Sequence, residues 1–213
     1  MEIPTNFCLA TIPTTFVVLQ LITAAVGAYL TPVNDCVFGF FTFGLGSVDA
    51  LMHISAEYLE EGRGTYLIVE ILEIIHDYAA VGLMNMELYH LSYKHSLLSV
   101  TFCIPMTLNI IAQLFGDADS MVPLMYLKQM NMMAHSMSIG YLARSEFNIW
   151  FGGVWLSSLI VNYGIYTEAA DVIQGRIVKL FGYILFYSFA AAGIYDDDFL
   201  SRLEWFGMSI NGV

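Results

Sequence analysis

Long apolar runs make up most of this chain, and short polar stretches interrupt them. Seven of these runs are long enough to cross the roughly 30 Å hydrocarbon core of a bilayer as helices. They lie at residues 7–30, 36–58, 66–90, 96–115, 121–144, 147–166 and 169–195. Asp196, Asp197 and Asp198 are expected to end the last run. The pattern therefore predicts an all-α protein, a bundle of seven transmembrane helices with short connections.

The residues after this bundle follow a different pattern. Phe199, Leu203 and Phe206 recur at helical spacing, with charged residues between them. A short amphipathic helix of this kind typically lies along the lipid headgroups. We therefore predict a transmembrane domain at residues 1–198 and an amphipathic, interfacial C-terminal tail at residues 199–213.

Composition supports a membrane location. The chain is 58% hydrophobic and only 12% charged, with a mean hydropathy of +0.67, whereas soluble domains carry about 25% charged residues. These values indicate an integral, multi-pass membrane protein surrounded by the lipid bilayer, without indicating which membrane. A formal net charge of −12 argues against nucleic acid as a partner. Further copies of this chain, or a larger membrane complex, are the protein partners that remain open.

The third helix is unusual because it carries acids within an apolar run. At 100° per residue, Glu70, Glu73 and Asp77 fall on one stripe. An ionisable group at bilayer depth costs about 3 kcal/mol on insertion scales and is by default a functional hypothesis. The stripe is therefore expected to face the interior of the bundle, where cationic groups can neutralise it.

Other helices offer such partners. Asp49 and His53 lie four residues apart on the second helix, Lys128 lies on the fifth, and Arg176 and Lys179 lie on the seventh. Acids on the second and third helices would then meet bases on the fifth and seventh. Each feature also has a purely structural interpretation, because Asp49 and His53 could form a hydrogen-bonded pair and the lysines could be counter-charges.

A metal site is the less favoured interpretation. The Glu-x-x-His sequences at residues 73–76 and 87–90 match the spacing of carboxylate-bridged di-iron sites. They lie on one helix, 14 residues and hence about 21 Å apart, so they cannot share a metal. A mononuclear site of His53, His76 and Asp77 stays open as an alternative. We predict no catalytic residue and no bound metal.

Several short sequences are found in the order of a known family. Lys179 within the seventh helix and a carboxylate on the third form the minimum set for a retinal Schiff base and its counterion. Residues 50–53 (Ala-Leu-Met-His), Asp77 with the following Tyr78, and Glu168 eleven residues before Lys179 add to this. The chain thereby resembles the microbial rhodopsins, and most of all the heliorhodopsins. It departs from them before the counterion, where residues 74–76 (Ile-Ile-His) stand in place of the element that carries Arg-Trp.

The resemblance implies that retinal is bound through Lys179, with Asp77 as counterion and His53 in the same cavity. The first hypothesis is accordingly a retinal-binding photoreceptor, or a light-driven or light-gated proton mover. The second is a proton or cation channel or carrier without chromophore. The third is a structural subunit of a larger membrane complex, and a membrane-embedded metal enzyme is the fourth. The expected proton relay consists of Glu70, Glu73, His76 and Asp49.

Overall fold

The computed structural model describes residues 14–58, 63–92, 96–115, 121–168 and 170–205, and all regular structure in these ranges is helical. In chain order the helices are α1 (Thr14–Leu30), α2 (Val37–Tyr58), α3 (Arg63–Leu91), α4 (Cys103–Phe115), α5 (Met121–Glu146), α6 (Ile149–Glu168) and α7 (Val172–Trp205). A 3₁₀ segment, Ser96–Phe102, leads into α4. Each of the seven predicted helices has a counterpart here.

Two predicted boundaries differ from the structure. The predicted end of the last helix at Asp196 is wrong, since α7 continues to Trp205 and takes in the first part of the predicted tail. Asp lowers helix propensity by a fraction of a kcal/mol only, and the next residue that readily ends a helix is Gly207. The predicted fourth helix is 3₁₀ at first and becomes α-helical at Cys103, so that Pro105 falls in its first turn, where no backbone donor is needed.

The helices pack in a ring. α1 contacts α2 and α7, α2 contacts α3, α3 also contacts α4 and α5, and α6 lies between α5 and α7. Side-chain pairs join α3 to α7 and α3 to α5 at matching heights, so α3, α5 and α7 run in the same direction. We call the end where these three helices begin the near end, and the opposite end the far end.

Small residues bring α6 and α7 unusually close together. A Cβ on Gly164 would lie 2.5 Å from the backbone nitrogen of Lys179, and a Cβ on Gly182 would lie 2.8 Å from that of Val161. Backbone atoms cannot move aside locally, so only glycine fits at either position. This close contact fixes the height of Lys179 relative to the end of α6.

The outer surface of the bundle is apolar, and much of its interior is polar. Exposed side chains include Leu51, Ile104, Leu108 and Met137, whereas Asp49, His76, Asp77 and Lys179 are buried. Four helical stretches are long and apolar enough to span a membrane: Val37–Ala56, Leu98–Phe115, Ile149–Glu168 and Val172–Tyr195. This distribution is the reverse of that in a water-soluble domain and is compatible with a membrane protein.

The apolar part of the interior lies towards the far end. Val81, Met84 and Leu88 of α3 and Phe186 and Ala190 of α7 are fully buried there. They follow the charged residues of the same helices by one to three turns. Among the described residues, the bundle therefore holds its buried ion pairs in the near half and a closely packed apolar core beyond them.

Candidate functional site

Three carboxylates surround the ammonium group of Lys179. Its Nζ donates to Glu73 Oε1 at 2.7 Å and to Asp77 Oδ2 at 3.1 Å, both on α3. Glu168 Oε2, at the end of α6, lies 3.0 Å away. Glu73 and Asp77 are four residues apart and therefore project from the same side of α3, one turn apart. Lys179 thus joins α3, α6 and α7 through a single charge.

Further donors complete the charge balance of this group. The Arg176 guanidinium bonds to Glu168 at 3.0 Å and lies 3.5 Å from Glu73. Asp77 accepts from Lys128 of α5 at 3.3 Å and from the Tyr183 hydroxyl at 3.1 Å. A buried ion pair persists only when its remaining lone pairs and protons are satisfied in this way.

A second branch of the site is built on Asp49 of α2. Its Oδ2 accepts from Gln20 Nε2 at 3.2 Å and lies 3.3 Å from His76 Nδ1, and its Oδ1 lies 3.7 Å from His53 Nε2. The other ring nitrogen of His76 contacts the Tyr187 hydroxyl at 2.5 Å. His76 therefore bridges a carboxylate and a phenol, an arrangement in which a proton can enter one nitrogen and leave from the other.

Both branches line one cleft between α1, α2, α3 and α7. Side-chain exposure falls along it from 21% for Glu168 and 17% for Glu73 to 6% for Lys179, 4% for Asp77 and 2% for His76. The charged cluster, as we call the two branches together, is therefore reached from the near end and closed deeper in the bundle.

The structure brings together six of the seven residues that the sequence singled out. These are Lys179, Asp77, His53, Glu73, His76 and Asp49. Glu70 is instead exposed, one turn nearer to the start of α3 than the cluster. Three polar members, Gln20, Tyr183 and Tyr187, were missed. The two tyrosines follow Lys179 at intervals of four residues, and this spacing could have revealed them.

The geometry also bears on metal binding. Oxygens of Glu73, Asp77 and Glu168 lie within 4.8 Å of one another, close enough to hold a metal ion. The ammonium of Lys179 lies within 3.1 Å of all three carboxylates, so a metal would have to displace it. The alternative set of His53, His76 and Asp77 does not form such a group among the described residues, because both histidines turn to Asp49.

Glu87, in the second Glu-x-x-His sequence, has a separate position. It is fully buried near the far end, and its Oε2 accepts the backbone N–H of Gly39 at 2.8 Å. Gly39 is the third residue of α2, so this carboxyl group caps the N-terminus of α2. Glu87 therefore lies outside the charged cluster and cannot share a metal with Glu73.

Comparison with known proteins gives one family. The chain matches no curated protein and no solved structure. Residues 32–193 match the model of a family described as "Domain of unknown function (DUF4791)". The match covers α2 to α6 and most of α7, and with them every charged residue of the cluster. The chain therefore belongs to the DUF4791 family.

Proposed function

We propose that this protein is a multi-pass membrane protein whose seven helices all cross the bilayer in one bundle. Four helical stretches meet the length and composition of a span, and α1 is a shorter apolar helix. The charges of α3 and α5 lower their hydropathy, but Glu73, Asp77 and Lys128 are paired with one another or with α7 inside the bundle. Pairing of this kind offsets much of the cost of inserting charged helices.

We infer that the bundle moves protons without a chromophore, as a channel or carrier. The observation that carries this proposal is the graded exposure of the charged cluster: carboxylates accessible from the near end, then an ammonium group, then a buried aspartate–histidine–tyrosine chain. Histidines exchange protons near neutral pH, and intramembrane carboxylates and histidines mark proton pathways.

The residues suggest how a proton would advance. A proton arriving at Glu168 or Glu73 neutralises one of the three carboxylates around Lys179, and the ammonium then shifts towards the other two. Asp77 is thereby held more strongly by Lys179, and the field at Asp49 and His76 changes. His76 can accept a proton at one ring nitrogen and release one from the other towards Tyr187.

Retinal binding is the second candidate, and one observation favours it. The Lys179 amine lies 3.1 Å from Asp77, as a Schiff base and its counterion require. Retinal attached there would have Asp77 as counterion and His53 in the same cleft. Two features argue against retinal binding. The Lys179 amine is engaged by three carboxylates, which an aldehyde would have to displace, and Tyr183, Phe186 and Tyr187 fill the interior beyond it.

Proton flux into vesicles tests the first proposal. The protein is reconstituted into liposomes that enclose a pH-sensitive dye, and a potassium diffusion potential is applied. We expect flux above that of protein-free vesicles, a loss of at least tenfold in Asp77→Asn, and an unchanged rate in Glu70→Gln. No flux in the wild type would overturn the proposal and leave a structural subunit as the better interpretation.

The same preparation, incubated with all-trans-retinal, tests the second candidate. Binding predicts a visible absorption band that Lys179→Ala abolishes and Asp77→Asn shifts. The matched control is Lys128→Ala, which removes the other lysine near Asp77 and should retain the band. A sample that never develops a band rejects retinal as a cofactor.

A further inference from the structure

Polar pairs join α3 to α5 at four successive heights. Beyond Asp77–Lys128 they are Asn85–His135 at 3.2 Å, Tyr89–Ser138 at 2.9 Å and Ser92–Glu146 at 2.9 Å. At 1.5 Å per residue, the α3 members span about 22 Å from Asp77 to Ser92. These pairs lead from the charged cluster to the far end of the bundle. We call them the α3–α5 ladder.

Several buried polar atoms along the ladder have no hydrogen-bond partner among the described residues. At the second height these are Nε2 of His135 and Oδ1 of Asn85, both on side chains that are at least nine-tenths buried. Nδ2 of Asn131 on α5 and Oδ1 of Asn109 on the adjacent α4 also have none. Asn131 lies between the first two pairs, in the two turns of α5 from Lys128 to His135.

Unpaired polar atoms of this kind are informative. Each destabilises the protein when it is buried without a partner, and a buried water needs two to four polar partners. A ladder that served only to hold helices together would be expected to pair its atoms fully, because interhelical hydrogen bonds stabilise through pairing. Unpaired polar atoms also occur elsewhere in the bundle, as at Gln20 and Glu87, but those of Asn85, Asn131 and His135 lie along the ladder itself, and this indicates a hydrated path.

The other direction out of the cluster is apolar. Tyr187 packs against Phe43, with ring centroids 5.8 Å apart, and the following turns of α7 bury Ala190 and Ile194. The branch through His76 therefore leads into the apolar core among the described residues. The α3–α5 side continues with polar pairs from the level of Asp77 to the end of α3.

We propose that the α3–α5 ladder is the hydrated route by which protons pass between the charged cluster and the far end, with His135 as its relay residue. The inference rests on the proposed proton movement and names its path. Nε2 of His135 faces Gly82, where a Cβ would lie 3.4 Å from that nitrogen and 2.9 Å from Met106 Sδ. Gly82 therefore lets Met106 and His135 pack directly against the backbone of α3, and Nε2 has no hydrogen-bond partner there among the described residues.

Three variants in the vesicle assay test this route. His135→Met, which replaces the ring by an apolar chain of similar length, should lower proton flux at least tenfold, and His135→Gln should retain more flux than His135→Met. Gly82→Ala keeps the histidine but places a methyl group against Met106 Sδ and close to Nε2, and it should lower flux at least threefold. The matched control is Met132→Leu, on the same helix and fully buried but apolar, with flux as in the wild type.

The outcomes separate this inference from the proposal beneath it. One outcome rejects the ladder as the proton route but retains the proposed function. In that outcome the wild type conducts, Asp77→Asn does not, and His135→Met conducts as well as the wild type. If neither the wild type nor any variant conducts, the proposed function is rejected. The α3–α5 ladder is then tested by a measurement that does not depend on conduction.

That measurement is labelling of Asn85→Cys by a small water-soluble methanethiosulfonate. Hydration predicts modification well above the background of the native cysteines, whereas the same reagent should leave Ala190→Cys, in the apolar core on α7, unmodified. Equal protection of both cysteines would overturn the hydrated route even in a protein that does not conduct.

Discussion

α3 buries carboxyl groups in both of its halves and holds them in different ways. In the near half, Glu73 and Asp77 meet the cations of Lys128, Arg176 and Lys179. In the far half, Glu87 contacts the N-terminus of α2, and among the described residues no lysine or arginine forms an ion pair with it. One half therefore relies on formal charges that can be exchanged, and the other on fixed backbone dipoles.

This difference suggests a functional role for the ion-paired acids of the near half and a structural role for Glu87. A carboxylate shared among mobile cations can take up a proton when its partners rearrange, and this suits a relay. A helix whose N-terminus is bound by a carboxyl group loses its cap when that oxygen is removed. The first effect of such a change is therefore a loss of stability. The spacing of Glu73–His76 and Glu87–His90 is identical in the sequence, so only the tertiary partners distinguish the two.

The largest expected effect is that of Lys179→Met. It leaves three buried carboxylates without their common cation, and breaking a buried ion pair typically costs about 3–5 kcal/mol. We expect a loss of that size in the free energy of unfolding, measured by circular dichroism in mixed detergent micelles. Lys128→Met is the matched control: that lysine is 19% exposed and contacts one carboxylate, which Lys179 continues to hold, so the loss should be smaller. Equal losses would contradict the central place of Lys179.

The next effect concerns how α6 positions Lys179. Gly164→Ala forces a methyl group against the backbone of Lys179, and we expect it to lower the free energy of unfolding by about 1–3 kcal/mol. Gly152→Ala, on the same helix, meets no atom within 4 Å, and it should be neutral or slightly stabilising. Equal stability of the two variants in the detergent titration would show that close α6–α7 contact is dispensable.

Much of this architecture could be predicted from the pattern of apolar runs. The helices follow from that pattern because the runs are long and turn residues such as Gly116 and Pro32 bound them. The course of α7 past Asp198 could not be foreseen, because acidic residues weaken a helix without ending it.

The candidate site was predictable in its members but not in its pairing. Helical spacing places Glu73 and Asp77 on one stripe, and the same stripe wrongly suggested that Glu70 joins them. At 100° per residue the three lie within a narrow arc, but α7 begins at Val172 and its cations lie level with Glu73 and Asp77, not with Glu70. The depth at which two helices meet is a tertiary property, and no single-helix pattern contains it.

A smaller effect tests the far half of α3. Glu87→Ala removes the cap on α2 and should cost about 1–2 kcal/mol, the usual cost of losing an N-cap. Glu87→Gln retains a carbonyl oxygen for the Gly39 N–H and should cost less than half as much. Proton flux per folded molecule should be unchanged in both variants. A flux defect in Glu87→Gln with normal stability would place Glu87 in the relay. The near and far halves of α3 would then not differ in function.

The smallest expected effect compares two neighbouring acids of α3. Glu70→Gln changes an exposed side chain, so its free energy of unfolding should stay within about 0.5 kcal/mol of the wild type. Glu73→Gln, one turn further, removes a charge that Lys179 and Arg176 both contact, and it should alter stability and proton flux together. If Glu70→Gln matched Glu73→Gln in either measurement, the relay would include Glu70 and would begin one turn closer to the start of α3. The boundary between solvent-facing and relay acids would then lie closer to the start of α3.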